Sequence, residues 1–416
     1  MIWSNGSTGL TNRPGSSRSL MDERDKPGAS GPTQAVFASI LGLLLATGWV
    51  ANHFVALMPL ISVHQHLSTP TLDAIFGIYA VGLLPGLLIG GRASDALGRR
   101  SVALAGSTTA LVGTVAMLLS QQTDVLLVGR LIVGLGVGLV MTSCTAWASD
   151  LKGPAGAAAA AGAVLTAGFA IGPFAGGVIG WAGQSGIGVS FGVAAAIVMV
   201  ATFATIVAAQ RADVRSPATA HDSEPSTPAP QGTARALSWA LPLAPWVFAS
   251  ATLGFVTIPT RVHTGLAAPM AAGTAALIVN GTSGLIQGVA RAGRWGPRAG
   301  TIGAVLAALG YTVTAVAPLT MTPALSLPVF LVLGCASGLL LREGLIDLEA
   351  AAPQRLRGAL TGVFYVVTYV GFSLPLILAT VGSATSAVIL SVMAVLASAT
   401  AVSRAVRLRR DSHRQS

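Results

Sequence analysis

An all-α membrane protein, with 12 transmembrane helices in two pseudo-symmetric six-helix bundles, is the fold class that three observations predict. The first is composition: of 416 residues, 53% are hydrophobic and 9% charged, with 50 glycines and a mean hydropathy of +0.73. Soluble domains carry about 25% charged residues. The second is segmentation, because charge, proline and glycine cut the chain into twelve apolar stretches near the ~20 residues that a helix needs to cross a bilayer. The third is sidedness: 21 of the 24 Lys and Arg residues fall on one side of those stretches. Helices are required, since lipid cannot satisfy open backbone groups and barrel strands would alternate polar with apolar residues.

Residues 1–33 are polar and rich in Ser, Gly and Pro, without the basic start and short apolar core of a cleaved signal sequence, and are expected to form a disordered cytoplasmic tail. The first span is predicted at 34–60. Spans two and three, 71–91 and 101–120, are joined by Gly91-Arg-Ala-Ser-Asp95-Ala-Leu-Gly98-Arg99-Arg100, a tight turn with one acid and three arginines. Span four, 125–148, opens with Arg130 and holds Gly134, Gly136 and Gly138. Their spacing nearly spells a dinucleotide fingerprint, but no strand precedes it and close helix packing is the better explanation. Span five, 157–181, carries Gly168-Phe-Ala-Ile-Gly172-Pro173-Phe-Ala-Gly176-Gly177. Span six, 188–209, runs into a linker at 210–236 dense in Pro, Ser, Thr, Asp and Arg, which separates bundles at 34–209 and 237–403.

The second bundle is expected to span at 238–259, 271–291, 299–318, 324–349, 358–381 and 383–403, followed by a basic cytoplasmic tail at 404–416. It looks like a distant copy of the first. Gly334-Cys-Ala-Ser-Gly338 echoes Gly134-Leu-Gly-Val-Gly138, Pro375 echoes Gly172-Pro173, and Gly288 to Arg298 is a decayed hairpin with Gly293 where the acid would stand. Duplicated six-helix halves are a common build of secondary transporters.

With Arg261 alone on the far side, and Arg130 and Arg342 inside spans, the positive-inside rule places both termini in the cytoplasm and the chain in the cell membrane. The formal charge of +10 is spread over short clusters, with no basic domain or aromatic stripe for nucleic acid. Cys144 and Cys335 lie in different halves and imply neither a disulfide nor a metal site. The six histidines form no catalytic or ligand set, and no phosphate-binding loop is present. An enzyme is therefore not expected.

Polar residues predicted to face a central cavity are few: Asn52 and His53 in span one, Asn280 and Gln287 in span eight, Arg342 and Glu343 in span ten, Tyr365 and Tyr369 in span eleven. Arg342 and Glu343 are neighbours that do not face one another on a helix, so each needs a partner elsewhere. Asp347 is expected to pair with Arg355 or Arg357. His53 is either a packing histidine or a proton carrier, and the two tyrosines are either packing or a stacking surface. Arg130 is either a functional buried cation or a side chain reaching for the outer interface.

The hairpin, Arg130-Leu-Ile-Val-Gly134 and the Gly168–Gly177 stretch fall on spans two, four and five. In that order they resemble the signatures of the major facilitator superfamily, and the third resembles its 12-helix drug:proton antiporter (exporter) branch. The resemblance implies a secondary active transporter working by alternating access, with a proton gradient and no cofactor, that exports a small apolar or weakly polar compound and sits as a monomer in the bilayer. It assigns Gly91, Asp95, Gly98, Arg99, Arg100 and Asp150 to a gate, with Asp95 meeting the start of span eleven near Arg357 and the hairpin arginines reaching Asp150. It assigns Arg130 and Gly134 to the span-four signature, and to span five Gly168, Gly172, Pro173, Gly176 and Gly177, where Pro173 would bend the helix and Gly172 would seal the cavity. Ala93, Ala96 and Val133 depart from the usual pattern. Import of a sugar or organic acid on the same fold remains open, as does, further off, a membrane receptor or intramembrane enzyme.

Overall fold

A computed structural model of the protein describes residues 31–213, 232–353 and 356–415. Most of the expected tail at 1–33 and of the linker at 210–236, together with Arg355, lies outside these residues. Helices α1 (Gly31–Asn52) and α2 (Phe54–Gln65) make one span, Thr33–Gln65, interrupted at His53. Ser68 caps α3 (Thr69–Leu97): its hydroxyl accepts the Thr71 N–H, and Pro70 stands in the first turn where no donor is missed. A single residue, Gly98, separates α3 from α4 (Arg99–Leu119). Its φ of +89° is a conformation that favours glycine, so the turn can be this tight. Then follow α5 (Thr123–Lys152), α6 (Pro154–Gly180) and α7 (Gln184–Asp213).

The second half opens with a broken span, Thr233–Arg261, made of α8 (Thr233–Ala240), α9 (Ala244–Thr252), a π turn (Leu253–Thr257) and a 3-10 turn (Ile258–Arg261). Pro242 and Pro245 fall where α8 gives way to α9, since neither supplies an N–H to the helix. Next come α10 (Ala268–Ala292), α11 (Arg298–Val316) and α12 (Pro323–Ala351). The following span is α13 (Arg357–Tyr369), a 3-10 turn (Val370–Ser373) and α14 (Leu374–Thr380), with Pro375 in the first turn of the last piece. Helix α15 (Gly382–Gln415) continues well beyond the expected end of its span, so the basic stretch after 403 is helical through Gln415.

Among the described residues there is no strand beyond an isolated bridge between Val262 and Met321. Among the described residues, eleven helical segments are long and apolar enough to cross a membrane. The sequence predicts twelve, and the difference is α10: it has 25 residues, but Thr274, Asn280, Thr282, Ser283 and Gln287 dilute its apolar character.

Glycine sets how closely the helices pack. A Cβ on Gly138 would stand 2.5 Å from the Leu83 carbonyl oxygen of α3, and one on Gly134 would collide with the Tyr79 carbonyl. In the second half, a Cβ on Gly334 would stand 2.5 Å from the Val279 carbonyl oxygen of α10, and one on Gly338 would strike Ser283. The two stretches that echo each other in sequence thus make the same kind of backbone contact, α5 on α3 and α12 on α10. Between the halves, α10 packs on α6 and α2, while α13 and α14 pack on α3.

Candidate functional site

At the hairpin, Arg99 gathers the charges. Its guanidinium lies 2.5 Å from Asp95 Oδ1, donates from Nε to Asp150 Oδ2 at 3.0 Å, and donates to Ser94 Oγ at 2.7 Å. Asp95 stands one helical turn before Arg99, and α5 delivers Asp150 from the side, so three helices meet in one cluster. Asp95 and Asp150 are well exposed, and pairs of this kind add at most ~1 kcal/mol each. Gly98 is needed for the turn, whereas Gly91 lies inside α3 with open space where a Cβ would go. Arg100 follows Arg99 in the first turn of α4.

Arg130 points into the protein. It is fully buried, donates from Nη1 to the Ala51 carbonyl at 2.9 Å, and is held between the rings of Tyr79 at 4.5 Å and Phe54 at 4.9 Å. This excludes an arginine that reaches for the outer interface. Among the described residues its Nε and Nη2 have no hydrogen-bond partner, nor do His53 Nε2 and Tyr79 Oη, so a set of buried polar atoms without such partners surrounds the break between α1 and α2. His53 Nδ1 lies 3.1 Å from the Val50 carbonyl and its ring sits edge-on to Phe191. Tyr79 also joins an aromatic cluster across the two halves: Phe76 stacks on Phe372 at 5.1 Å, and Tyr369 meets Phe248 at 4.5 Å and Phe372 at 5.2 Å. Tyr365 flanks Tyr369 at 6.3 Å. The two tyrosines are thus edge members of a packed aromatic core, most of which sequence inspection passed over.

The α6 signature divides between two faces. A Cβ on Gly168 would strike the Leu45 carbonyl, on Gly172 it would stand 2.8 Å from Trp49 Cα, and on Gly176 3.1 Å from the His53 carbonyl oxygen, all in the first span. On Gly177 it would stand 2.5 Å from the Pro269 carbonyl oxygen of α10, and Gly273 of α10 returns the contact at 2.5 Å from the Pro173 carbonyl oxygen. Within the signature, the close backbone approach to the other half therefore belongs to Gly177, answered by Gly273. Gly172, expected to seal the cavity, packs within the first half.

Pro173 explains two of the polar residues. Having no N–H, it leaves the Phe169 carbonyl, four residues earlier, without its helical donor. Asn52 from α1 and Asn280 from α10 both donate to that oxygen, each at 3.3 Å. These side chains complete a broken backbone ladder and tie three helices together; α6 runs through Pro173 without interruption. Gln287 donates to the Ser283 carbonyl of its own helix.

In the second half, the neighbours Arg342 and Glu343 do pair with one another, although sequence spacing predicts that each needs a partner elsewhere. The opposite carboxylate oxygen of Glu343 lies 3.8 Å from Arg404, and Arg404 donates to Asp347 at 2.6 Å. Arg404 also donates to the Pro297 carbonyl and packs on the Trp239 ring. Asp347 thus takes Arg404 as a partner; of the two expected, Arg355 lies outside the described residues, as does the side chain of Arg357. The sequence places Arg404 in the basic tail, yet it is 4% exposed, because α15 packs along α11 and the side chain turns in to Pro297, Asp347 and Trp239.

A cleft of about 620 Å³ opens on the face opposite the hairpin, between α2, the start of α3, the end of the seventh span, the start of α10, and α14. None of the eight residues expected in a central cavity lines it. Its charged residues are Asp73 and Arg261. Among the described residues no group of three or more His, Cys, Asp or Glu could hold a metal.

Membrane-length helices, glycine seams between two halves of a chain and a cleft between them are the build of a multi-pass membrane protein. The sequence model of the Major Facilitator Superfamily matches residues 38–376, and the chain belongs to that superfamily. Among its relatives are "Probable inositol transporter 2" of Arabidopsis thaliana, 36% identical over 78 residues, and "Multidrug resistance protein MdtL" of Citrobacter koseri, 32% identical over 108 residues. These matches take in 19% and 26% of this chain but only 13% and 27% of the relatives. An auto-inhibited POT family peptide transporter superposes with a TM-score of 0.68 over 90% of this chain and 97% of that one, at 14% identity, a likeness of fold alone.

Proposed function

We propose that the protein is a proton-linked exporter of a small apolar or weakly polar compound, driven by the proton gradient and working as a monomer in the plasma membrane. Two six-helix bundles, 34–209 and 237–403, would rock about a central site, with α10 as the eighth of 12 spans and both termini cytoplasmic. The observation that carries export is the complete Gly168–Gly177 signature in α6. Its last glycine forms a backbone seam with α10 across the halves, and Asn280 reaches over the same seam to the Phe169 carbonyl. The Asp95–Arg99–Asp150 cluster is the gate on the hairpin face, where α3 also packs on α13. Glu343, whose carboxylate is shared between Arg342 and Arg404, is the group assigned to proton exchange: taking up a proton would release its partners, and losing it would recapture them. His53, with an unsatisfied ring nitrogen beside the break in the first span, is the second.

Import of a sugar-like solute is the competing reading. It is favoured by the 36% identity to the inositol transporter and 34% identity over 129 residues to "Monosaccharide-sensing protein 2" of Arabidopsis thaliana. Growth of overproducing cells on a panel of toxic compounds separates the two. Export predicts protection against at least one compound, and everted vesicles with an acid lumen should then accumulate it. Heightened sensitivity, or uptake only into right-side-out vesicles, would establish import instead.

A further inference from the structure

Asp73 is used by none of the roles above. It lies in α3 just past the Ser68 cap, on the wall of the outer cleft, and is 4% exposed. Among the described residues it has no hydrogen-bond or ion-pair partner. Its carboxylate oxygens are not among the polar atoms shut off from solvent, so they open on the cleft, and most of the cleft wall is apolar, with Met58, Leu72, Phe255 and Leu378. Arg261 lines the same cleft from the end of the seventh span, yet no ion pair joins it to Asp73. The protein therefore brings an acid into an apolar chamber and leaves its counter-charge to be supplied.

We infer that Asp73 is the counter-ion for a cationic ligand, and that the cleft takes a small molecule carrying one positive centre on an apolar body. A volume of about 620 Å³ is of the size that holds such a molecule. The apolar wall takes the body, Asp73 takes the charge, and Arg261 repels a second positive group, so monocations are selected over dications. The inference rests on the transporter reading of the chain and goes beyond it, giving the outer cleft a ligand class and the residue that selects it.

The test is binding of tetraphenylphosphonium and of its neutral analogue triphenylphosphine oxide to the detergent-solubilised full chain. Asp73→Asn should weaken tetraphenylphosphonium by about tenfold or more, the scale of a lost attraction between two unit charges at close range. The same variant should hold triphenylphosphine oxide within about twofold, and Asp73→Glu should restore cation binding. Arg261→Gln, which leaves Asp73 intact, should strengthen tetraphenylphosphonium by about threefold through loss of a like charge. The assignment is overturned if the wild type does not bind the cation, if Asp73→Asn weakens both probes alike or neither, or if Arg261→Gln brings no gain, as when the two residues serve only to pair on closure. Binding in detergent does not depend on transport direction. Loss of Asp73 dependence would thus leave export standing, and vesicles that show import would leave the site standing.

Discussion

Gly177→Ala separates packing within one half from packing between halves. The new methyl would stand 2.5 Å from the Pro269 carbonyl oxygen, where carbon and carbonyl oxygen ordinarily meet at ~3.3 Å. Helices α6 and α10 must part by about 0.8 Å, because the obstacle is backbone and cannot rotate away. Overpacking of this kind costs about 1–3 kcal/mol. Alanine also gains about 1 kcal/mol of helix propensity over glycine, but α6 is helical in either conformer, so that gain offsets the loss of stability without restoring the balance between conformers. The conformer described here should lose about 5- to 150-fold in population while the melting midpoint moves little. Gly172→Ala is the control, since its methyl would meet Trp49 Cα at 2.8 Å within the first half and should leave the balance alone. The assay pairs efflux of a compound identified by growth protection with thermal unfolding in detergent. Wild-type efflux by Gly177→Ala, or efflux losses in both variants that simply track their melting midpoints, would refute the assignment of the inter-half seam to Gly177.

Two further outcomes follow from buried polar groups. Replacing Asn52 and Asn280 together with Leu strips the Phe169 carbonyl of both donors and should cost about 1–3 kcal/mol of stability, while either single change leaves one donor and costs less; unfolding midpoints of the three variants, compared with the same changes in a Pro173→Ala background that restores the helical N–H, measure it. Arg404→Ala leaves Asp347 buried without its partner and Glu343 with Arg342 alone, and should cost about 3–5 kcal/mol by chemical or thermal unfolding; a loss below about 1 kcal/mol would mean that the cluster is solvated.

How far the sequence exposes these features depends on whether the partners are local. The hairpin is legible because a one-residue turn needs Gly98, and Asp95 and Arg99 stand one helical turn apart. Arg130 is legible as a buried cation, since an isolated charge inside an apolar span has few places to go. Asn52 and Asn280 look like cavity residues until Pro173 is taken into account: the carbonyl it frees is four residues earlier, but nothing local says which helices will answer it. Arg404 is masked by the basic run around it, and Asp73 by its place near a span end, where an acid ordinarily meets water. The eighth span is the one where polar residues needed for contacts lower apolarity below that of its neighbours.

Alternating access itself is tested most directly by distances measured at both faces in lipid nanodiscs, with Cys144 and Cys335 replaced and spin-labelled cysteines introduced in pairs. One pair, at Ser62 and His263, spans the outer cleft; the other, at Leu97 and Glu349, joins the ends of α3 and α12 on the hairpin face. On acidification from pH 8 to pH 5, a proton-linked rocking transporter predicts opposite changes, one pair shortening as the other lengthens. Distances that stay fixed at both faces, or that lengthen or shorten together, would contradict it.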